Sequence, residues 1–441
     1  MSFENLSRKE NALDERWFDR FAELSFETYS LLDGDSEVRI AEKNKFLAQD
    51  FGNPTLDYPK LKGFDFIARE VSLLNLKAEI IDNEDDITIR EIYRTKINES
   101  LAELRMLKST IEGNDKKFNR YSTFVYGAPD EVNTSIMASI LQEKVERGKT
   151  PVKQEAAANL RPILEVLVPV VPERGPPLLE IEDSKERVAT VDEVVSAFTQ
   201  ALQDVGAGDA WRVVVSNDIG ISNFRVSQKN KEVSIPGHKI VGMLSQTMRA
   251  FLQHEVFGHV ARRVAGENSK LKLLALGLDR YEKGEEGVAT RLEQLEKGAD
   301  TFSHPERYFA ISLARGEVDG IKRDFRQTFN VLKQYYVAVL LSSQTGPTLE
   351  DKAVDSAWRL CVRTFRGTTG STPGTVYTKD LNYFVGNKET WALVKTDEKV
   401  VRYFSIGKFD AANSRHVGWL MKLGITDQSL KNILEESNDQ S

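Results

Sequence analysis

The sequence predicts an α+β protein that is mainly α-helical, with a small antiparallel sheet near the middle and a helical N-terminal region. Two observations indicate this fold class. Apolar residues recur at helical spacing over most of the chain, and between Trp211 and Ile235 the period changes to two. With 441 residues, 40% apolar and 29% charged, the chain has the composition of a globular protein and room for about two to three domains.

The N-terminal part is predicted to be helical because apolar positions such as Ile92, Ile97 and Leu101 alternate with charged faces. The segments Gly52-Asn53-Pro54 and Asp57-Tyr58-Pro59 interrupt this pattern and indicate a bend. Helical spacing is found over residues 10–32, 36–51, 61–80, 86–113 and 130–147.

The middle of the chain changes character twice. Five prolines between Arg161 and Asp183 predict an extended connector. Thr190-Val191-Asp192-Glu193 then has the form of a capping box, which begins a helix predicted over 191–205. The alternating segment 211–235 contains two turn signals and therefore predicts antiparallel strands.

The C-terminal half is predicted to be mainly helical after the strands. A long helix is expected from 238 to about 265, followed by helices over 283–298, 305–315, 318–343 and 349–366, a less regular segment 367–410 and a helix over 412–435. We expect three parts: a helical region 1–150, a Pro-rich connector with a helix 151–210, and a larger domain 211–435.

Composition excludes several classes of protein. The 60 basic and 67 acidic residues are mixed along the chain, so nucleic acid is not an expected partner. Cys361 is the only cysteine, which excludes an intramolecular disulfide and a cysteine-built metal site. The N-terminal segment lacks the apolar core of a signal peptide, and no run of about 18 apolar residues predicts a membrane span. We therefore expect a cytoplasmic protein without a membrane partner.

The segment His254-Glu255-Val256-Phe257-Gly258-His259 combines the residue types of a hydrolytic zinc site. Such a site needs imidazole ligands, an open position for water and a nearby carboxylate that accepts a proton. Two histidines in one helix can equally be core or surface residues, so the pattern alone is weak. Its context strengthens it, because only five histidines are present and the helix follows a predicted sheet, the layout of zinc peptidases.

The spacing of His254 and His259 carries a structural prediction. At roughly 100° per residue, five residues place the two rings about 140° apart on a straight α-helix, so they could not share an ion. A π-bulge, with about one extra residue in the turn, would bring both rings to one face. We therefore expect the helix to depart from α geometry between residues 254 and 259, where Gly258 makes the distortion easiest.

A metal held by two histidines requires a third protein ligand, which glutamate-ligand zinc peptidases take from a later helix. The segment 284–289 begins such a helix and carries Glu285 and Glu286. Alternatively, both glutamates only complement the positive N-terminal end of the helix. That alternative does not account for the small residues Gly287 and Ala289 beside them.

Together these segments resemble a known family. HEVFGH followed by GLDRYEKGEEGVA is similar to the flavohaemoglobin-expression-modulating proteins with a QEGLA motif, to which the microtubule-associated tyrosine carboxypeptidases are related. The stretches 363–367 and 377–386 resemble the RxxRG and KDxxYxxG stretches of that family. The resemblance covers about residues 160–430 and implies a zincin-like metallopeptidase core in the domain 211–435.

This resemblance implies a complete Zn²⁺ site. His254 and His259 would be zinc ligands, Glu286 the third ligand and Glu255 the catalytic base. The chain departs from the family in having EEGVA in place of QEGLA, which puts Glu285 beside the ligand. Either glutamate could then bind the metal, and the resemblance favours Glu286.

Substrate-binding residues are expected in the C-terminal stretches. Carboxypeptidase action needs a cation for the terminal carboxylate of the substrate, and an arginine can pair with both oxygens. The candidates are Arg363, Arg366, Lys379 and Tyr383, and each could instead be structural. Candidates for stabilising the oxyanion are Tyr377, Tyr383 and His416.

We expect a zinc carboxypeptidase that removes a C-terminal residue, with tyrosine as one candidate, from a peptide or protein. Two alternatives remain: a zinc endopeptidase with an open cleft, and a catalytically idle metal-binding regulatory protein on the same fold. Tubulin would be a partner only in a eukaryote. In either peptidase the outer strand around Phe224 to Val226 could align a peptide by strand addition.

Overall fold

The computed structural model describes residues 12–49, 51–165, 175–176, 187–217, 224–240, 243–340 and 348–439. These residues form mainly helices and one three-stranded sheet, which confirms the predicted mainly helical α+β class. Most of the predicted proline-rich connector lies outside the described residues.

The N-terminal region is helical, as predicted. Its helices are α1 (Glu15–Leu24), α2 (Thr28–Leu31), α3 (Ser36–Leu47), α4 (Phe66–Asn83), α5 (Ile87–Ile111), α6 (Asp115–Tyr126), α7 (Glu131–Glu146) and α8 (Pro151–Leu164). Side chains of Asp35, Asp65, Asp86, Asn114 and Asp130 accept hydrogen bonds from the first-turn N–H groups of α3 to α7. These caps fix where the helices begin, because the first N–H groups of a helix have no partner within it.

Three details of this region differ from the prediction. The single helix expected over 10–32 is divided into α1 and α2, because the chain becomes extended at Ser25. Helix α6 was not predicted. Helix α8 occupies the start of the predicted connector, with Pro151 in its first turn, where the missing N–H costs nothing.

Helix α9 (Val191–Asp204) begins with the predicted capping box. The Thr190 hydroxyl accepts from the Glu193 N–H at 3.3 Å, and the Glu193 carboxylate accepts from the Thr190 N–H at 2.9 Å. The helix predicted over 191–205 is therefore confirmed.

The sheet has strands β1 (Arg212–Ser216), β2 (Arg225–Ser227) and β3 (Glu232–Pro236), in the order β1-β3-β2. Strands β2 and β3 are antiparallel, but β1 and β3 are parallel. The prediction of a purely antiparallel sheet was therefore wrong for β1. Alternating apolar residues indicate which face of a strand is buried, but they carry no information on strand direction.

The segment that carries the histidine motif is interrupted. It consists of α10 (Gly237–Ile240), α11 (Ser245–Leu252), a π-helical turn (Gln253–Val260) and α12 (Ala261–Asn268). The single helix predicted from 238 to about 265 is therefore broken after Ile240, and residues 241–242 lie outside the described chain.

The remaining helices are α13 (Glu282–Lys297), α14 (Pro305–Arg315), α15 (Phe325–Val339), α16 (Leu349–Thr364), α17 (Leu381–Thr396), α18 (Val401–Phe404), α19 (Ser414–Lys422) and α20 (Gln428–Asp439). The helix predicted over 318–343 begins only after its cap, Asp324. The terminal helix predicted over 412–435 is divided into α19 and α20. Helix α17 lies within the segment predicted to be irregular. The sequence did not indicate this helix, because polar residues such as Asn387 and Thr390 interrupt the apolar pattern of its buried face.

The apolar cores join residues from distant parts of the chain. Trp17 of α1 and Ile97 of α5 belong to the same buried cluster as Leu420 and Leu434 of α19 and α20. The division into parts 1–150, 151–210 and 211–435 stays a prediction. Among the described helices, none is both long and apolar enough to cross a bilayer.

Helix α13 packs unusually close to its neighbours. A Cβ added at Gly287 would lie within 3.0 Å of the Gly386 carbonyl oxygen on α17, and one added at Gly258 would lie 2.8 Å from the Ala289 Cβ. Small residues at these positions therefore let the π-helical turn and α17 approach opposite sides of α13. The Asn387 amide on α17 also donates to the Thr290 hydroxyl at 2.9 Å.

We predict that Gly287→Ala destabilises the protein by about 1–3 kcal/mol, because an added methyl group would overpack the α13–α17 contact. The matched control is Gly418→Ala in α19, where an added Cβ meets no atom within 4 Å. That control should be neutral or more stable by up to about 1 kcal/mol. Chemical denaturation followed by circular dichroism measures both, and equal effects would contradict the packing argument.

Candidate metal centre

His254 and His259 lie on the π-helical turn Gln253–Val260. The wider turn brings side chains five residues apart onto one face. Their ring centroids are 5.0 Å apart and the ring planes make an angle of 72°. The predicted departure from α geometry is therefore confirmed, and the two imidazoles converge.

The two imidazoles meet the Glu286 side chain of α13. The Nε2 atoms of His254 and His259 lie 3.8 Å and 3.9 Å from Oε2 of Glu286. This oxygen is buried and has no hydrogen-bond partner among the described residues. Ligand atoms of one ion with bonds of about 2.0–2.2 Å are roughly 3.3–4 Å apart. These three side chains therefore fit a divalent metal ion.

The electrostatic surroundings also favour a cation. Burial by itself lowers the pKa of His254, but Glu293, Glu255 and Glu286 outweigh it and raise that pKa to about 9. The Glu255 side chain lines the cavity in front of the imidazoles, although it is only 8% exposed. Burial raises the pKa of Glu255 above its ordinary value. A carboxylate with a raised pKa is suited to accepting and returning a proton.

Two further carboxylates of α13 contact the outer nitrogens of the imidazoles. Oε1 of Glu285 lies 2.8 Å from Nδ1 of His259, and Oε2 of Glu293 lies 3.3 Å from Nδ1 of His254. Each carboxylate also binds a lysine: Lys408 donates to Glu285 at 2.7 Å and Lys297 donates to Glu293 at 2.8 Å. A carboxylate hydrogen-bonded to the outer nitrogen, as Glu285 is to Nδ1 of His259, orients a histidine ligand and fixes which ring nitrogen carries the proton.

A cavity of about 2140 Å³ opens in front of these residues. Three of the predicted substrate-binding residues line it, but each is paired with a carboxylate. Arg363 donates to both oxygens of Asp380 at 2.7 and 2.8 Å. The other pairs are Arg366 with Asp33, at 3.3 Å, and Lys379 with Glu282. These pairs form walls of the cavity.

Arg307 of α14 differs from the cations in those pairs. It lines the same cavity, and its guanidinium lies 4.3 Å from the ring centroid of Tyr383. Among the described residues, no carboxylate lies within ion-pair distance of it. It is thus a cation that is available to a ligand in the cavity.

Of the three oxyanion candidates, only Tyr383 lines the cavity. Its hydroxyl makes no hydrogen bond within the described parts of the chain, and besides burial the Glu286 carboxylate raises its pKa. The Tyr377 hydroxyl instead donates to the Tyr126 hydroxyl in the protein interior. The fully buried His416 accepts from the Asp410 N–H. The structure therefore does not bring Tyr377 or His416 to the metal centre.

The outer strand β2 also lines the cavity and lies at an edge of the sheet. The N-terminal region contacts this strand and the turn after it: Arg225 pairs with Asp33 at 3.1 Å, and the Lys229 N–H donates to Glu27 at 2.9 Å. Peptide binding by strand addition at β2 stays a prediction.

Sequence reasoning missed three residues of this site. Glu293 could have been found, because it lies seven residues after Glu286 and therefore on the same face of α13. Lys408 and Arg307 had no comparable signal. Lys408 contacts Glu285 and Arg307 contacts Tyr383, and in both pairs the two residues lie far apart in the sequence.

The fold and the site define a mainly helical α+β protein with two histidines and a glutamate that could hold a metal ion beside a charged cavity. The chain belongs to the family described as microtubule-associated tyrosine carboxypeptidase, whose model matches residues 176–431, more than half of the chain. This confirms the predicted relation to the carboxypeptidases. A comparison with curated protein sequences gave no match. The closer resemblance to QEGLA-motif proteins stays a prediction.

We predict that His254→Ala and His259→Ala each abolish metal retention, because two ligands cannot replace a three-ligand set. Wild-type protein purified without chelator should contain about one equivalent of zinc by elemental analysis. The matched control is His238→Ala, which removes an exposed histidine that lines the same cavity. It should retain the metal, whereas full occupancy in both site variants would refute the assignment.

Proposed function

We propose that the protein is a zinc-dependent carboxypeptidase with a zincin-like core. The observation that carries this proposal is the convergence of both Nε2 atoms on an unpartnered oxygen of Glu286, with Glu255 beside them. Membership of a family described as a tyrosine carboxypeptidase supports the same reaction. We therefore assign His254, His259 and Glu286 as ligands and Glu255 as the catalytic base.

A zinc ion bound there would polarise the scissile carbonyl group and lower the pKa of a water molecule. Glu255 accepts a proton from the attacking water and delivers it to the leaving amine nitrogen. The free hydroxyl of Tyr383 donates a hydrogen bond to the carbonyl oxygen as negative charge develops on it.

Removal of a C-terminal residue requires recognition of its carboxylate. We assign this role to Arg307 rather than to Arg363, Arg366 or Lys379, because each of those three already has a carboxylate partner. A guanidinium can donate two parallel hydrogen bonds to a carboxylate. The cation–π contact between Arg307 and the Tyr383 ring, at 4.3 Å, places this guanidinium beside the proposed oxyanion donor.

The substrate class follows from the family. A peptide or protein with a C-terminal tyrosine is the proposed substrate, and tubulin is proposed only if the source is a eukaryote. The cytoplasm is the proposed location. An endopeptidase or a catalytically idle metal-binding protein on the same fold would share the three ligands but would not depend on a free substrate carboxylate.

Glu255→Gln should retain zinc and lose activity, because the amide preserves the shape of the side chain but cannot accept a proton. We expect a loss of about 100-fold or more in kcat. Zinc content and peptide hydrolysis are measured on the same preparation. Loss of zinc from this variant would instead identify Glu255 as a ligand.

Arg307→Gln should raise KM for a peptide with a free C-terminal carboxylate by about 10–100-fold, the equivalent of one charged hydrogen-bonded pair. C-terminal amidation of the peptide should weaken cleavage by the wild type but not further weaken cleavage by this variant. The matched control is Arg359→Gln, an exposed arginine that lines the same cavity. Equal cleavage of free and amidated peptides by the wild type would support an endopeptidase.

A further inference from the structure

Glu285 is a charge buried next to the proposed ligand set. Its side chain is 7% exposed, and its Oε1 atom contacts both Nδ1 of His259 and Nζ of Lys408. The other oxygen, Oε2, is buried without a hydrogen-bond partner among the described residues. The position of this carboxylate is therefore set by its contacts with His259 and Lys408.

Lys408 approaches Glu285 from a segment that is held on both sides. The Lys408 N–H donates to the Leu274 carbonyl at 2.8 Å, and the Leu278 N–H donates to the Lys408 carbonyl at 3.0 Å. The Arg262 side chain, three residues after His259, donates to the carbonyls of Gly407, at 2.9 Å, and Phe409. Helix α12, which directly follows the π-helical turn with both histidines, therefore fixes the position of the segment that carries Lys408.

The lysine is almost completely buried, with 1% of its surface exposed. A buried ammonium group without a partner is strongly unfavourable, and so is a buried carboxylate. Each of the two residues therefore requires the other. Because both Lys408 and His259 bind the same oxygen, the Glu285 carboxylate is held against the outer nitrogen of the ring.

We propose that Glu285 and Lys408 act as one positioning pair for His259, in which Lys408 holds the Glu285 carboxylate against Nδ1 of the imidazole ring. The inference rests on the proposed function in taking His254, His259 and Glu286 as ligands. The Glu285 carboxylate accepts a hydrogen bond from the Nδ1–H group of His259, which leaves the unprotonated Nε2 facing Glu286. The Lys408 ammonium balances the charge of the buried Glu285 carboxylate.

If the two residues act as a pair, the effects of substitutions at positions 285 and 408 should depend on each other. A glutamine at position 285 could also accept a hydrogen bond from Nδ1 of His259, but it carries no charge and would leave Lys408 unpaired. A methionine at position 408 would fill the space of the lysine stem and would leave the Glu285 charge unpaired. Only the combination of both neutral residues removes the charge without leaving a buried partner.

The test compares Glu285→Gln, Lys408→Met and the double variant. Zinc affinity is measured on metal-free full-length protein by competition with a zinc-binding dye, and thermal unfolding of the same preparations is recorded. Each single variant should bind zinc about 10–100-fold more weakly, as losses of groups that orient ligands generally do. The double variant should recover to within a few-fold of wild type, which distinguishes positioning from a general loss of structure.

The matched control is Asp319→Asn, which breaks the buried ion pair with Arg323 away from the site. It should lower the unfolding temperature and leave zinc affinity unchanged. Additive losses in the double variant, or unchanged affinity in both single variants, would overturn the pair. The pair would also be overturned if Glu285→Gln lost zinc as completely as Glu286→Ala does. A wild type that binds zinc but cleaves no peptide would refute the proposed function, whereas recovery in the double variant would still support the pair.

Discussion

The close contact of helix α13 with the π-helical turn is the constraint on which the site depends. Gly258 and Ala289 allow this approach on one side, and Gly287 and Gly386 allow the approach of α17 on the other. Helix α13 can therefore present Glu286 to both imidazoles. Its neighbouring carboxylates lie near the outer ring nitrogens and belong to the same helix, so a single element carries both the proposed third ligand and the groups that would orient the other two.

Several charged residues of the cavity walls form ion pairs. The cavity walls contain Arg363 with Asp380 and Lys379 with Glu282. Such buried pairs contribute little net stability, because the cost of removing both charges from water offsets their attraction. In contrast to these pairs, Arg307 has no carboxylate within ion-pair distance, and the Tyr383 hydroxyl makes no hydrogen bond among the described residues. Polar groups of the cavity wall that have no protein partner, such as these two, remain available to a substrate.

The N-terminal region contributes to this cavity although the family match begins at residue 176. Tyr29 accepts a hydrogen bond from Arg363 at 3.2 Å, and Asp33 pairs with both Arg225 and Arg366. The segment between α1 and α3 thus joins the sheet to the C-terminal helices across the cavity. Helices α1, α4 and α5 of the N-terminal region also share an apolar core with α19 and α20. The walls of the site therefore depend on parts of the chain that the family description does not cover.

The sequence by itself determined the features that depend on neighbouring residues. The five-residue spacing of His254 and His259 predicted a π-helical turn if both rings face one ion, because ring directions follow from local helix geometry. Capping residues likewise predicted the start of α9. The tertiary structure alone decided the direction of β1 and the presence of Lys408 and Arg307 at the site. It also brought Glu286 to the imidazoles and Glu285 to an outer ring nitrogen. These features depend on groups far apart in the chain, and their distances are set by packing rather than by spacing along the sequence.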